Sequence, residues 1–403
     1  MPLKIIIYNI IVLIVLIVNS CTVSWNKAIR YGDIKQEEFY ETLDIEIKNN
    51  LVFVPVQING ITYRFLFDTG AMFSISKEIQ EELKFKVVSK GNLVDSDKNR
   101  SKVSYVRVDD LQIGKINFEN QTAFVANFKA NPILECMEID GIVGSNLMRH
   151  CIWTVDQQNQ KLSFGTYLKP EYIKDAEQVP FKTDNQYDIL LNIEIGKATL
   201  KNIKLDYGSN GPLSISKSNW DVLKENDIIQ NSIVERGIKN SGIFGKPVKI
   251  SRETTFTDSL KMNDFYIENV QIRTGTSRLF GNKILSKYTV SIDYKNKKLF
   301  FQKNDSISTT NWTYGFKVGY NSSKGIVINS VTENSKAFEE GILTNMKVAK
   351  IDSLNFELGN DFCDYVDFMQ DPPEVLYIQL IDSVGEKVDF NIQRTDLKKI
   401  FLN

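Results

Sequence analysis

The feature that most constrains the fold of this 403-residue chain is a set of landmarks that occurs twice in the same order. The first set contains Phe67-Asp68-Thr69-Gly70-Ala71 and then Ser74-Ile75-Ser76-Lys77. The second contains Leu205-Asp206-Tyr207-Gly208-Ser209 and, after a slightly longer loop, Ser214-Ile215-Ser216-Lys217. Further on, Ile142-Val143-Gly144 with Leu147-Met148 is matched by Leu279-Phe280-Gly281 with Ile284-Leu285. Asp68 stands 76 residues before Gly144 and 88 before Asp156, while Asp206 stands 75 before Gly281 and 87 before Asp293. Repetition in constant register means two copies of one folding unit, so the chain is expected to form a pair of similar lobes.

Each copy reads as β-rich. Residues 51–58 and 61–67 are largely apolar and flank Asn59-Gly60, whose tolerance of positive φ closes a tight hairpin. The second copy repeats this with 190–195 and 198–205 around Gly196-Lys197, so both aspartates are expected to end buried strands. Helical patterns are short: after Ser76, after Gly144 and at 218–224. A Ser/Thr/Asn-rich stretch, 304–311, reads as a linker, and 312–403 as a third unit.

Composition removes several chemistries. Lys and Arg total 49 against 50 Asp and Glu, so no basic excess points to a nucleic-acid partner. The single histidine, His150, leaves no multi-histidine metal site, and a hydrolytic triad would have to run through that one imidazole, which we read as structural. The general acid and base are therefore expected to be carboxylates, with no metal and no cofactor. The four cysteines, Cys21, Cys136, Cys151 and Cys363, show no C-x-x-C spacing.

At the amino terminus Lys4 precedes an apolar run over 5–18, broken only by Tyr8 and Asn9, and Val18-Asn19-Ser20-Cys21 follows. This resembles a bacterial lipoprotein signal peptide, which implies a signal peptide over 1–20, lipidation at Cys21, and an exported protein held to a membrane by its lipid. Residues 21–42 then read as an N-terminal linker. With Cys21 acylated three thiols remain, so at least one is free or pairs between chains.

Strand, Asp-Thr-Gly, and an apolar pair with glycine some 75 residues later, all duplicated, resemble the aspartic peptidases of the pepsin and retropepsin type. The resemblance implies a mainly β chain with two retropepsin-like acid-protease lobes in tandem, 43–166 and 167–303. It makes Asp68 and Asp206 the catalytic pair, meeting at the floor of a cleft that holds a polypeptide substrate. Two close carboxylates retain one proton between them, so one activates water while the other protonates the scissile carbonyl. Thr69, Gly70, Ala71, Tyr207, Gly208 and Ser209 would support the catalytic loops, the glycines by letting the backbone turn beside each carboxylate. Ser209 can bond its neighbouring carboxylate and Ala71 cannot, so Asp68 is expected to be the more readily protonated member.

Tyr207 departs from the family, whose threonine after each aspartate crosses to the opposite loop. Either Tyr207 points outward and reshapes its loop, or Asp206 no longer meets Asp68 and the chain is a catalytically inactive peptide-binding lipoprotein. Arg278, where the first copy has Gly141, is read as a surface cation. Residues 95–104 with Tyr105 are a candidate for the hairpin that covers the cleft, with an ordinary surface hairpin as the alternative.

The third unit resembles a PDZ domain over most of 312–393, through Tyr314-Gly315-Phe316, Gly325-Ile326-Val327-Ile328, Gly341-Ile342 and Val348-Ala349-Lys350-Ile351-Asp352. The resemblance implies that Tyr314, Gly315 and Phe316 offer amides to the terminal carboxylate of a C-terminal peptide ligand that adds a strand to the sheet edge. The alternative is that Tyr314 and Phe316 are core aromatics.

Overall fold

The computed structural model describes residues 23–239, 242–304 and 311–402. The expected signal peptide, Cys21 and most of the 304–311 linker lie outside the described residues.

The chain is mainly β. The first sheet runs, in spatial order, Leu51–Ile58, Ile61–Asp68, Gly141–Gly144, Ser74–Ser76, Gln121–Ala126, Arg100–Val108 and Val87–Val94. The second runs Ile189–Ile195, Ala198–Asp206, Leu279–Gly281, Leu213–Ile215, Phe265–Thr274, Val248–Met262 and Ile233–Lys239, which is the same order strand for strand. In each, the strand carrying the aspartate pairs in parallel with the strand ending in glycine, Asp68 opposite Gly144 and Asp206 opposite Gly281. The matched sequence spacings are therefore one strand register used twice.

Local chemistry repeats with the topology. Ser76 caps the helix Lys77–Leu83 by accepting the Ile79 amide at 3.1 Å, and Ser216 caps Lys217–Glu225 by accepting the Asn219 amide at 3.2 Å. Such a cap satisfies a helix-start amide that has no partner within the helix. Alternation along the strand sends Phe65 and Phe67 into the largest core and Leu66 to the opposite face, among Met72, Tyr105, Phe124 and Ile142.

A six-stranded sheet joins the two units, ordered Glu177–Pro180, Lys298–Lys303, Tyr288–Asp293, Ile152–Asp156, Lys161–Gly165, Tyr40–Asp44. At its centre the equivalent strands Ile152–Asp156 and Tyr288–Asp293 pair antiparallel, Trp153 with Ile292 and Val155 with Val290. That register is symmetric about the Thr154–Ser291 pair, whose hydroxyls lie 2.8 Å apart, so an approximate twofold axis passes there.

Residues 23–42 are not the linker expected from sequence. Trp25–Ala28 is helical, Asp33–Ile34 pairs with Ile116–Glu119, and Tyr40–Asp44 forms the edge of the six-stranded sheet. Ala28 and Ile29 are buried, which the flanking polar residues conceal from a composition-based reading.

The third unit has its own core, including Phe316, Ile328, Val348, Ile378 and Ile392. It is joined to the others in three ways. Ile233–Lys239 of the second unit pairs antiparallel with Gly325–Thr332, making one continuous sheet. Glu235 at that junction meets Arg252 at 3.3 Å, Lys317 at 2.9 Å and the Ser330 hydroxyl at 2.6 Å. A disulfide between Cys136 and Cys363 links the helix Pro132–Cys136 of the first unit to Phe362–Phe368. Cys151 is the free, buried thiol of this set.

Candidate functional site

Asp68 and Asp206 are each the last residue of a buried strand, and the two strand ends meet. Both carboxyls are 9% exposed and hydrogen-bond each other. The approach is possible because glycine follows two residues later in both loops. A Cβ on Gly70 would sit 2.7 Å from the Asp206 Cγ, and one on Gly208 would collide with the Asp68 carboxylate. Each loop thus packs against the aspartate of the other unit.

The hydrogen bonds around the pair do not follow the pattern expected from Ala71 and Ser209. Gly70 donates its amide to Asp68 Oδ1 at 2.7 Å, and the nearby Gly208 amide also favours the anion there. The Ser209 hydroxyl instead accepts the Gly211 amide at 3.4 Å. Burial raises both carboxyls, but Asp206, which additionally faces the Asp68 charge, is held well above the ordinary carboxylate range. The pair is thus biased toward an ionised Asp68 and a protonated Asp206.

Tyr207 follows neither of the courses open from sequence. It is fully buried, edge-on to the Phe67 ring at 5.6 Å, and its hydroxyl has no hydrogen-bond partner among the described residues. The side chain has turned into the core, leaving the carboxyls in contact. The crossing hydroxyl is therefore one-sided: Thr69 Oγ1 donates to the Leu205 carbonyl at 2.7 Å and accepts the Tyr207 amide at 3.1 Å. Asn282 secures the second loop, its side-chain amide donating to the Tyr207 carbonyl at 2.7 Å.

A buried ion pair adjoins the dyad. Lys204, two residues before Asp206 and on the same face of its strand, pairs with Asp188 and donates to the Gly70 carbonyl at 3.0 Å. Burial pushes the Asp188 carboxyl up to about 6, with Lys204 opposing the shift. Burial alone would lower Lys204, but Asp188 and the dyad carboxylates hold its ammonium above its ordinary value. Sequence reasoning missed this pair. The signal was present, because Lys204 stands where the first copy has the apolar Leu66.

The hairpin of Val87–Val94 and Arg100–Val108 reaches across to the second unit. At its tip the Ser96 carbonyl accepts from the Thr276 and Ser277 hydroxyls at 2.7 and 2.9 Å, and Asp97 pairs with Lys239 and accepts the Gly242 amide. Tyr105, the candidate cleft aromatic, is instead buried against the N-terminal helix, its ring stacked 6.1 Å from that of Trp25. It belongs to the core because it lies on the strand flanked on both sides by neighbours.

The remaining expected residues are dispersed. Arg278 is exposed, one guanidinium nitrogen donating to the Lys201 carbonyl at 3.1 Å. Burial pushes His150 down to about 4, with Arg149 adding to the shift, so its imidazole is neutral at physiological pH. Tyr314 and Phe316 are buried in the third unit, the Tyr314 hydroxyl bonding the Pro373 carbonyl, and the Gly315 amide donates to Thr313 Oγ1 at 3.0 Å. Among the described residues no group of three or more His, Cys, Asp or Glu is arranged to hold a metal ion.

Residues 54–147 match the aspartyl protease family model. The match spans Asp68-Thr69-Gly70 and Gly144, and ends before Asp206. No curated protein matches the chain.

Proposed function

We propose that this chain is an aspartic endopeptidase in which two retropepsin-like lobes bring Asp68 and Asp206 together as one catalytic dyad. The observation that carries the reading is the contact of the two carboxyls over Gly70 and Gly208, in a chain whose first unit matches the aspartyl protease family. The reaction follows from the proton distribution. Asp68, ionised and held by the Gly70 amide, takes a proton from water as the water oxygen attacks the scissile carbonyl carbon. Asp206 gives its proton to the carbonyl oxygen. Collapse of the tetrahedral diol breaks the C–N bond, the proton held by Asp68 passes to the leaving nitrogen, and Asp206 regains its own. The hairpin latched at Ser96 and Asp97 serves as the cover under which an extended polypeptide lies.

The third unit is read as a PDZ module that positions polypeptide substrates or partners. In support, Phe316–Asn321 pairs only with Gly325–Thr332 among the described strands, leaving one edge beside the helix Phe362–Phe368. The buried Tyr365 hydroxyl lies beside the Val318 amide on that edge, so an added peptide strand would have to displace it. Export and a lipid at Cys21 complete the proposal, which rests there on the amino-terminal sequence.

The test is cleavage of an unfolded polypeptide across acidic to neutral pH by the protein and by Asp68→Asn and Asp206→Asn. Turnover lost in both variants, and blocked by a statine-type inhibitor, supports the peptidase. Turnover that survives both substitutions overturns it. Peptide binding without turnover in the parent protein favours the inactive two-lobed binder.

A further inference from the structure

We infer that Lys204, anchored by Asp188, is a positioning residue for the Asp68–Asp206 pair: from the second unit it supplies the cross-unit hydrogen bond that Tyr207 cannot, and it fixes a cation beside the dyad. The inference rests on the peptidase reading for its consequence in turnover, and on geometry alone for its effect on the carboxyls.

Burying an ammonium is costly unless it is paired, so a lysine where the equivalent Leu66 packs among apolar side chains requires compensation. Asp188 provides it, with a side chain 3% exposed against 29% for Lys204. The ammonium then reaches the Gly70 carbonyl, in the loop that carries Asp68. The next carbonyl, Ala71, accepts the Ser145 amide at 2.8 Å. The Ser145 hydroxyl lies 2.7 Å from the Gln186 carbonyl, 3.1 Å from that of Ala71 and 3.3 Å from Asp188 Oδ1, and its single proton serves one at a time. Two successive carbonyls of the first catalytic loop are thus tied into one network with the 184–188 segment. A threonine at 207 would reach back to the first unit through its hydroxyl; the tyrosine has turned into the core, and the ammonium makes the return contact instead.

The charges that face this site are Lys204, Asp188, Asp184, Asp68 and Asp206, with the buried Tyr294 hydroxyl near Asp188 and Asp68. The cation opposes the burial that raises both dyad carboxyls, and Asp188 acts against it. Removing Lys204 should therefore move both dyad ionisations to higher pH, and removing the Asp188 charge should move them lower.

Full-length Lys204→Met, Lys204→Arg and Asp188→Asn proteins test this. In Lys204→Met, kcat is expected to fall about tenfold or more with KM within about twofold, and both limbs of the pH–rate profile to rise by about one pH unit. Lys204→Arg should restore the limb positions. Carbon-13 titration of the aspartate carboxyls reads the same displacement without turnover: upward in Lys204→Met and downward in Asp188→Asn. Unmoved carboxyl midpoints overturn the role of Lys204 whatever the activity. Failure of the peptidase reading is seen separately, as turnover that is absent from the parent protein or insensitive to Asp68→Asn. Should Lys204→Met not fold, the carboxyl midpoints of Lys204→Gln are read in its place, an upward shift being expected and unmoved midpoints overturning the role.

Discussion

The Thr69 hydroxyl sits between two successive groups at the Asp206 strand end, donating to the Leu205 carbonyl at 2.7 Å and accepting the Tyr207 amide at 3.1 Å. Both partners are buried, so an isosteric Thr69→Val leaves a carbonyl and an amide unsatisfied, at about 1–3 kcal/mol each. We expect a lowered melting temperature and at least a tenfold loss of turnover, since misplacing the carboxyls by a fraction of an ångström degrades the reaction. Calorimetry together with steady-state kinetics checks both.

Tyr207 invites the opposite substitution. Its hydroxyl is buried without a partner, while its ring packs on Phe67. Tyr207→Phe keeps the ring and removes the unsatisfied group, so stability should rise by about 1 kcal/mol with activity unchanged. Tyr207→Thr would instead open a cavity and cost about 3–5 kcal/mol. Urea unfolding of the two variants separates these outcomes; equal stabilities would count against a packing role for the ring.

Docking of the third unit should depend on acid. Despite the opposing effect of burial, Lys317 and Arg252 hold Glu235 down at about 2, below its ordinary 4.5. A depressed carboxylate adds stability that is complete above the unfolded value and lost as pH falls from about 4.5 through about 2. Glu235→Gln should lower the melting temperature at neutral pH and flatten its decline between those limits. A decline identical to that of the parent protein would place the acid sensitivity elsewhere.

The same docking should be sensitive to reductant. Cys136 and Cys363 are 227 residues apart in sequence, so their bond removes a large closure freedom from the unfolded chain. Reduction, or the paired Cys136→Ser and Cys363→Ser changes, is expected to lower the thermal midpoint and let limited proteolysis separate the third unit. Sizing of the fragments by mass spectrometry reports whether the third unit is released.

The hairpin tip gives a kinetic prediction. Asp97 meets Lys239 and the Gly242 amide of the second unit, contacts that hold the hairpin tip against that unit. Asp97→Ala should loosen the latch, raising KM several-fold while kcat changes less, because substrate is held under a cover that closes less often. A change confined to kcat would point to a role in the chemistry instead.

Much of the molecule was legible in its residues. The duplicated Asp-x-Gly, the Ser-Ile-Ser-Lys caps and the distant glycines are local requirements of strand ends, helix starts and close backbone approach, so they recur wherever the same unit is built. The N-terminal strands were not legible, because two- and five-residue strands gain their meaning only from the edges they complete. The ion pair of Lys204 and Asp188 was half visible, as a charge in an apolar position with no sign of its partner.

By itself the sequence determined the two matching β units, the strand ends that deliver Asp68 and Asp206, and the single imidazole through which any histidine chemistry would have to run, since these follow from periodicity, turn chemistry and residue counts. Only the tertiary structure decided that Tyr207 turns into the core, that the Gly70 amide bonds Asp68, and that Lys204 reaches Gly70. Each of those depends on which groups from distant parts of the chain share one dry space, and burial there sets both the strength of a charge and the cost of leaving it alone.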